Sequence, residues 1–151
     1  MPNHDKAVLL MEEAPAAYLT TIGPGGIPRT RAMLNLRRPG DYPALVPFFR
    51  EHAGDLAVFF TTNTSSEKVR QIRANPLVSV YYCRSREWRG LSLSGRIEVV
   101  EDAALKQYFW QHGWTMYYPG GAQDPDYALL RLMPDLALGY HKLERYEFVP
   151  G

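Results

Sequence analysis

The feature that most constrains the fold of this chain is an apolar run that passes through a hydroxyl-rich turn into a helix. Residues 59–62 are typical of a β-strand, residues 63–66 form the turn, and residues 67–70 open the helix. Ser and Thr are favoured at helix N-caps because their oxygens accept from unpaired backbone N–H groups. Those N–H groups, the helix dipole and Lys68 could together bind a phosphate. The alternative is an ordinary capped helix whose hydroxyls serve only the backbone.

The rest of the chain alternates short β-rich segments with turns, and helices are inserted between them. Strands are expected over residues 17–22, 29–36, 56–61, 77–83, 91–100, 136–140 and 145–149. Helices are expected over residues 6–14, 66–74, 101–111 and 127–133. Residues 37–55 are expected to form a long connection with one helical turn, and residues 114–126 an aromatic loop. Hairpin connections dominate and no βαβ rhythm appears, so the pattern predicts a mainly β fold, a small antiparallel barrel with peripheral helices.

Composition and charge narrow the function classes. A chain of 151 residues is expected to form one domain, residues 1–151. Its net charge of +1 gives no global electrostatic reason to expect a nucleic-acid or membrane partner. No signal peptide or membrane-length apolar run is present, so we expect a cytoplasmic protein. The single cysteine, Cys83, is expected to be a buried, unreactive thiol. Metal binding is not expected, because the four histidines are scattered: His4, His52, His112 and His141.

Four motifs follow one another along the chain. They are GIPRTRAM at 26–33, FFTT with SEKV and ANP at 59–76, LSGRIEVVED at 93–102, and YPGG with DPDYALLRL at 118–132. In this order they resemble the FMN-binding split barrel of the pyridoxamine 5'-phosphate oxidase-like superfamily, and within it the general stress protein branch. The resemblance runs from residue 18 to about residue 141. It implies an antiparallel six-stranded split β-barrel with peripheral helices (β+α) and bound FMN.

The resemblance also implies roles for residues near the hydroxyl-rich turn. Ser65, Ser66 and Lys68 match positions that bind the FMN phosphate. Thr61 and Thr62 match the strand end beside the ribityl chain and the flavin ring. A cationic, hydroxyl-lined phosphate site is what a flavin nucleotide requires.

Two further segments of the resemblance are expected to contact the flavin. The strand that faces the isoalloxazine and the phosphate contains Arg31, Ala32, Met33 and Leu34. Arg29 lies on the same strand face as Arg31, and the sequence does not separate their roles. Tyr117 and Tyr118 stand where the branch usually has tryptophan-phenylalanine, and they are expected to reach the flavin of the opposite subunit. Because adjacent residues of an extended segment point opposite ways, only one of the two is expected to face the ring.

The implied function is an FMN-dependent oxidoreductase that forms a homodimer with flavin sites at the interface. It would reduce an unidentified small molecule with NAD(P)H as a possible donor. Alternatives are a flavin-binding stress protein without turnover, serving as carrier or sensor, and a deazaflavin- or heme-binding relative. Residues 37–55 are longer than the usual family link, which is compatible with a lid, a dimer rim or a tolerated surface insertion.

Overall fold

The computed structural model describes all 151 residues, and its centre is an antiparallel sheet curled into a half-barrel. Six strands follow one another across it in the order β2-β1-β4-β5-β6-β3, while β7 branches off β5 and β8 pairs with β7. Their bounds are β1 Ala17–Ile22, β2 Pro28–Met33, β3 Val58–Asn63, β4 Leu77–Arg84, β5 Arg89–Val99, β6 Tyr127–Leu132, β7 Leu136–His141 and β8 Glu144–Phe148. The antiparallel split barrel with peripheral helices is therefore confirmed.

Four α-helices surround the sheet, at α1 Asn3–Glu13, α2 Val46–Glu51, α3 Glu67–Ala74 and α4 Ala103–Phe109. The Ser66 hydroxyl caps α3 by accepting from the Val69 N–H at 3.4 Å. Asp102 caps α4 by accepting from the N–H groups of the second and third helical residues. Ser and Asp therefore begin these helices as N-cap preferences predict. No helix of the structure combines the length and apolar character needed to span a membrane.

The strand β6 corrects a sequence prediction. Residues 127–133 were expected to be helical, and residues Tyr127–Leu132 form a strand between β5 and β3. Leu130 packs into the core inside the half-barrel, whereas Leu129 packs into a second core outside it. A strand buried on both faces is apolar at consecutive positions, so its sequence lacks the alternation that identifies a half-buried strand.

The second core contains side chains from the long connection after β2. Leu45 and Phe49, from the segment over residues 37–55, are buried in this core together with Phe59 of β3 and Phe109 of α4. The rings of Phe59 and Phe109 are stacked with centroids 4.4 Å apart. The buried Arg37 guanidinium donates to the Ala57 carbonyl at 2.9 Å. The segment therefore packs onto the barrel, and α2 is the helical turn expected within it.

Candidate functional site

A cleft of about 300 Å³ opens where the end of β2, the end of β3 and the loop after α4 meet. We call it the β2–β3 cleft. Eight of the eleven residues predicted to bind the cofactor line it, namely Ala32, Met33, Leu34, Thr61, Thr62, Lys68, Tyr117 and Tyr118. Asn63 and Trp114 complete its wall. An apolar lining with a few convergent polar groups is typical of cofactor sites.

One cation, Lys68, lines this cleft, and a second, Arg31, lies close to Lys68 outside the lining. Lys68, in the first turn of α3, donates from Nζ to the Thr62 hydroxyl at 2.9 Å. Arg31, on β2, donates from Nη1 to the Thr21 hydroxyl at 2.7 Å. Neither cation has a carboxylate within ion-pair distance. The pair is therefore held in place by hydroxyl groups rather than neutralised.

The electrostatics of the pair favour an anion. Burial lowers the pKa of Lys68 from its ordinary value, and the nearby charge of Arg31 lowers it further. Burial also lowers the pKa of Arg31, with Arg29 acting in the same direction and Glu67 opposing both. Two partly desolvated like charges disfavour each other, so an anion bound between them relieves that cost. Phosphate suits this position, because it accepts several charge-assisted hydrogen bonds at once.

The orientation of Arg31 depends on residues that the sequence did not reveal. Gln71, on α3, accepts from the Thr21 hydroxyl at 2.5 Å and from Arg31 Nη2 at 3.4 Å. Thr21 and Gln71 are both buried. The side chain of Arg29, by contrast, lies against Gly23. The structure therefore separates the two arginines and places Arg31 in the network beside the cleft.

The hydroxyl-rich turn is fixed by Asp126, which directly precedes β6. Its carboxylate accepts from the Ser65 N–H at 2.8 Å and from Asn63 Nδ2 at 2.7 Å. These hydrogen bonds, that of Asn63 foremost, lower the pKa of Asp126. Asp126 therefore connects the turn between β3 and α3 to the start of β6.

The serines of this turn do not line the cleft. The Ser66 hydroxyl caps α3, as expected if the turn is an ordinary helix start whose hydroxyls serve only the backbone. Ser65 is exposed, and its N–H is already bound by Asp126. Of the predicted phosphate ligands, Lys68 alone lines the cleft, and the phosphate role of the two serines stays a prediction.

The aromatic wall of the cleft comes from the loop after α4. Tyr118 is 6% exposed and packs against Trp110 and Tyr127, with ring centroids 5.9 and 5.2 Å away. Tyr117 is 59% exposed. Both line the β2–β3 cleft of their own chain, and contact with the flavin of the opposite subunit stays a prediction. Trp114 beside them was not predicted, because nothing in its local sequence distinguishes a cleft aromatic from a core one.

Known proteins are similar to this chain over nearly its whole length. The family model described as pyridoxamine 5'-phosphate oxidase matches residues 4–140. A solved structure from Clostridium acetobutylicum, a protein related to general stress protein 26 of Bacillus subtilis, is 27% identical with a TM-score of 0.75. The match covers 97% of this chain and 93% of that one. No curated protein sequence gives a significant match.

Two solved structures of lower sequence identity are similar to this chain in fold only. General stress protein 26 from Bacillus anthracis is 18% identical with a TM-score of 0.73, and the match covers 99% of each chain. A heme binding protein from Mycobacterium smegmatis is 14% identical with a TM-score of 0.69. That match covers 99% of this chain and 59% of the other.

Proposed function

Because the chain belongs to the pyridoxamine 5'-phosphate oxidase family, we propose that it is an FMN-binding flavoprotein that acts as an oxidoreductase on a small molecule. The observation that carries the proposal is Lys68 in the wall of a largely apolar cleft, without a carboxylate partner and with Arg31 close to it. A dianionic phosphate joined to a flat apolar ring matches a site with these two ends.

The residues of the β2–β3 cleft fit the parts of FMN one by one. Lys68, with Arg31 close to it, is suited to hold the phosphate, and Thr61 and Thr62 line the same cleft beside Lys68. The strand β2 pairs only with β1, so its outer edge carries unpaired backbone N–H and C=O groups. Such groups are suited to the hydrogen-bonding pyrimidine edge of a flavin.

When bound, FMN would supply hydride transfer between a reduced nicotinamide, which is oxidised, and an acceptor, which is reduced. The chain's own contribution is binding, orientation and charge. Arg31 and Lys68 supply a positive field at the phosphate end. Tyr117 and Trp114 supply aromatic surface in the wall of the cleft against which a flat ring can pack.

A heme-binding function receives less support from this site. None of the four histidines lines the β2–β3 cleft. His52 instead bonds to Asp55 at 2.7 Å, and His4 bonds to a backbone carbonyl. The paired cations also favour a compact phosphate over a broad porphyrin.

The absorption spectrum of the purified protein with added FMN tests the proposal. We expect bound flavin with an absorption band at about 450 nm, set by the cofactor itself. A protein that stays colourless after FMN addition and gel filtration would refute the flavin assignment, and a Soret band would replace it with heme. Steady-state oxidation of NADH or NADPH with a panel of acceptors then separates an enzyme from a flavin carrier that does not turn over.

A further inference from the structure

Lys68 is the only charged side chain that lines the β2–β3 cleft. No carboxylate lines it, and Arg31 lies outside the lining. In the proposed function the dianionic phosphate of FMN takes Lys68 together with Arg31. Once the cofactor is bound, the rest of the lining is therefore uncharged, and this limits the substrates that the site can take.

Two polar side chains of the lining are already engaged within the protein. The Thr62 hydroxyl accepts from Lys68 at 2.9 Å, and the Asn63 amide donates to Asp126 at 2.7 Å. The surface left for a substrate is mostly apolar and aromatic, and it belongs to Met33, Leu34, Trp114, Tyr117 and Tyr118.

Much of this apolar surface faces water. Leu34 is 55% exposed and Tyr117 is 59% exposed, although both line the cleft. Large apolar side chains exposed in a concave site are typical of ligand-binding surfaces. Tyr117 also carries a phenol hydroxyl, which can donate a hydrogen bond to a carbonyl oxygen.

The arginines of neighbouring segments are engaged elsewhere. Arg37 donates to a backbone carbonyl at 2.9 Å, and Arg38 pairs with Asp41 at 2.7 Å. The side chain of Arg29 lies against Gly23. None of the three lines the cleft, so they supply no second cation for a substrate anion.

A second copy of the chain would not change this balance at the border of the cleft. The sheet face that reaches the cleft at Ala32 continues across the strands with Tyr18, Tyr81, Ser92 and Leu138. All five residues are uncharged, so two copies packed through this row would bring no cation from it to the site.

We propose that the substrate reduced at this site is an uncharged, flat, apolar molecule with a carbonyl oxygen, of which a quinone is the simplest case. The inference rests on the proposed function, because the FMN phosphate is what occupies Lys68. A quinone would receive a hydride through the flavin and a proton from water and become the hydroquinone, while NADH loses the hydride and becomes NAD⁺. Pyridoxamine 5'-phosphate, the compound named in the description of the family, carries a phosphate of its own and finds no second cation in this cleft.

The first test compares menadione with a naphthoquinone sulfonate in the FMN-loaded protein. Both compounds have the same fused ring and quinone oxygens, and only the second carries an anion. The oxidised protein cannot reduce either compound, so titration followed by flavin absorbance reports binding alone. We expect the sulfonate to bind about tenfold more weakly, because an anion buried without a cation is costly.

Turnover with NADH adds a second comparison. The sulfonate withdraws electrons and is the stronger oxidant, so a higher kcat/KM for menadione would not follow from driving force. Pyridoxamine 5'-phosphate should be neither oxidised in air nor able to displace menadione.

A substitution in the cleft tests the apolar contact. Leu34→Gln replaces apolar surface by a polar side chain, and at saturating FMN menadione should bind about fourfold more weakly, as for one methylene-sized contact. Leu143→Gln makes the same change in the β7–β8 turn, where Leu143 is 94% exposed, and should bind menadione like the unchanged protein.

Four outcomes would overturn the inference. They are no binding of menadione, equal or tighter binding of the sulfonate, oxidation of pyridoxamine 5'-phosphate, and a Leu34→Gln variant that binds menadione normally. If FMN is bound in these experiments, the proposed function stands and only the substrate class is wrong. A protein that does not bind FMN would overturn both.

Discussion

At the scale of single residues, Lys68 is the side chain on which phosphate binding depends most directly. Lys68→Ala removes a charge-assisted contact worth about 1.5–3 kcal/mol, and because Lys68 is half-buried we expect the lower part of this range. Fluorescence titration should show weaker FMN binding, while riboflavin, which lacks the phosphate, binds as before. Lys6→Ala, which removes a lysine on α1 outside the cleft, is the control. Equal losses for FMN and riboflavin would contradict a phosphate contact.

The lowered pKa of Lys68 predicts how FMN affinity depends on pH. Phosphate binds to the protonated amine, so affinity is full below the pKa of Lys68 and falls as pH rises through it. Because burial and Arg31 lower that pKa, the fall should begin below the ordinary value of 10.5. A Lys68→Arg variant keeps its charge and should lose this part of the pH dependence. Identical pH profiles for the two proteins would exclude Lys68 as the titrating group.

The two adjacent tyrosines should respond differently to substitution. Tyr118 is buried in the second core, so Tyr118→Ala is expected to lower the free energy of unfolding by about 3 kcal/mol, typical of deleting a buried aromatic ring. The exposed Tyr117 lines the cleft without that packing, so Tyr117→Ala should alter flavin fluorescence and acceptor kinetics with little change in Tm. If only Tyr118→Ala changes the flavin signal at equal folded fraction, the facing residue is Tyr118.

At the scale of elements, the start of β6 holds the turn between β3 and α3. The pKa of Asp126 is lowered by hydrogen bonds that exist only in the folded state. A lowered pKa in the folded state contributes stability above the unfolded pKa, and that stability is lost as pH falls through the folded value. The Tm difference between the unchanged protein and Asp126→Asn should therefore be largest at neutral pH and shrink below pH 3.8. A difference that is constant with pH would show that the carboxylate charge contributes nothing.

The elements that the sequence predicted are those whose pattern is local. The strand over residues 17–22 and the helix after Ser66 match the structure, because β-propensity and helix capping depend on neighbouring residues. The strand β6 was missed, because burial on both faces removes its alternation. The same reasoning applies to the site. Lys68 was predicted from the motif that contains it, whereas Gln71 was missed because it accepts a hydrogen bond from Thr21, 50 residues away in sequence. Asp126 was missed for the same reason: it accepts a hydrogen bond from Asn63, 63 residues away in sequence, and the two meet only because β3 and β6 are adjacent.

At the scale of the whole molecule, one face of the sheet remains without a covering helix. Direct cross-strand pairing places Ala32, Tyr18, Tyr81, Ser92 and Leu138 in one row on this face. Tyr18 is 36% exposed and Leu138 is 38% exposed, and Ala32 at the end of the row lines the β2–β3 cleft. An apolar row of this kind is suited to a two-fold contact with a second copy of the chain. We therefore propose a homodimer whose interface borders the flavin site.

The dimer is tested by placing a charge in this row. Leu138→Glu would bury an unpaired carboxylate between two copies, which is costly, so light scattering at micromolar concentration should show a shift from dimer to monomer. Leu143→Glu introduces the same charge in the β7–β8 turn, where Leu143 is 94% exposed, and should leave the dimer intact. Because the interface is proposed to border the cleft, the monomeric variant should also bind FMN more weakly while keeping its far-ultraviolet circular dichroism. A variant that stays dimeric would exclude this face as the interface, and a monomer with unchanged FMN affinity would separate the flavin site from the dimer contact.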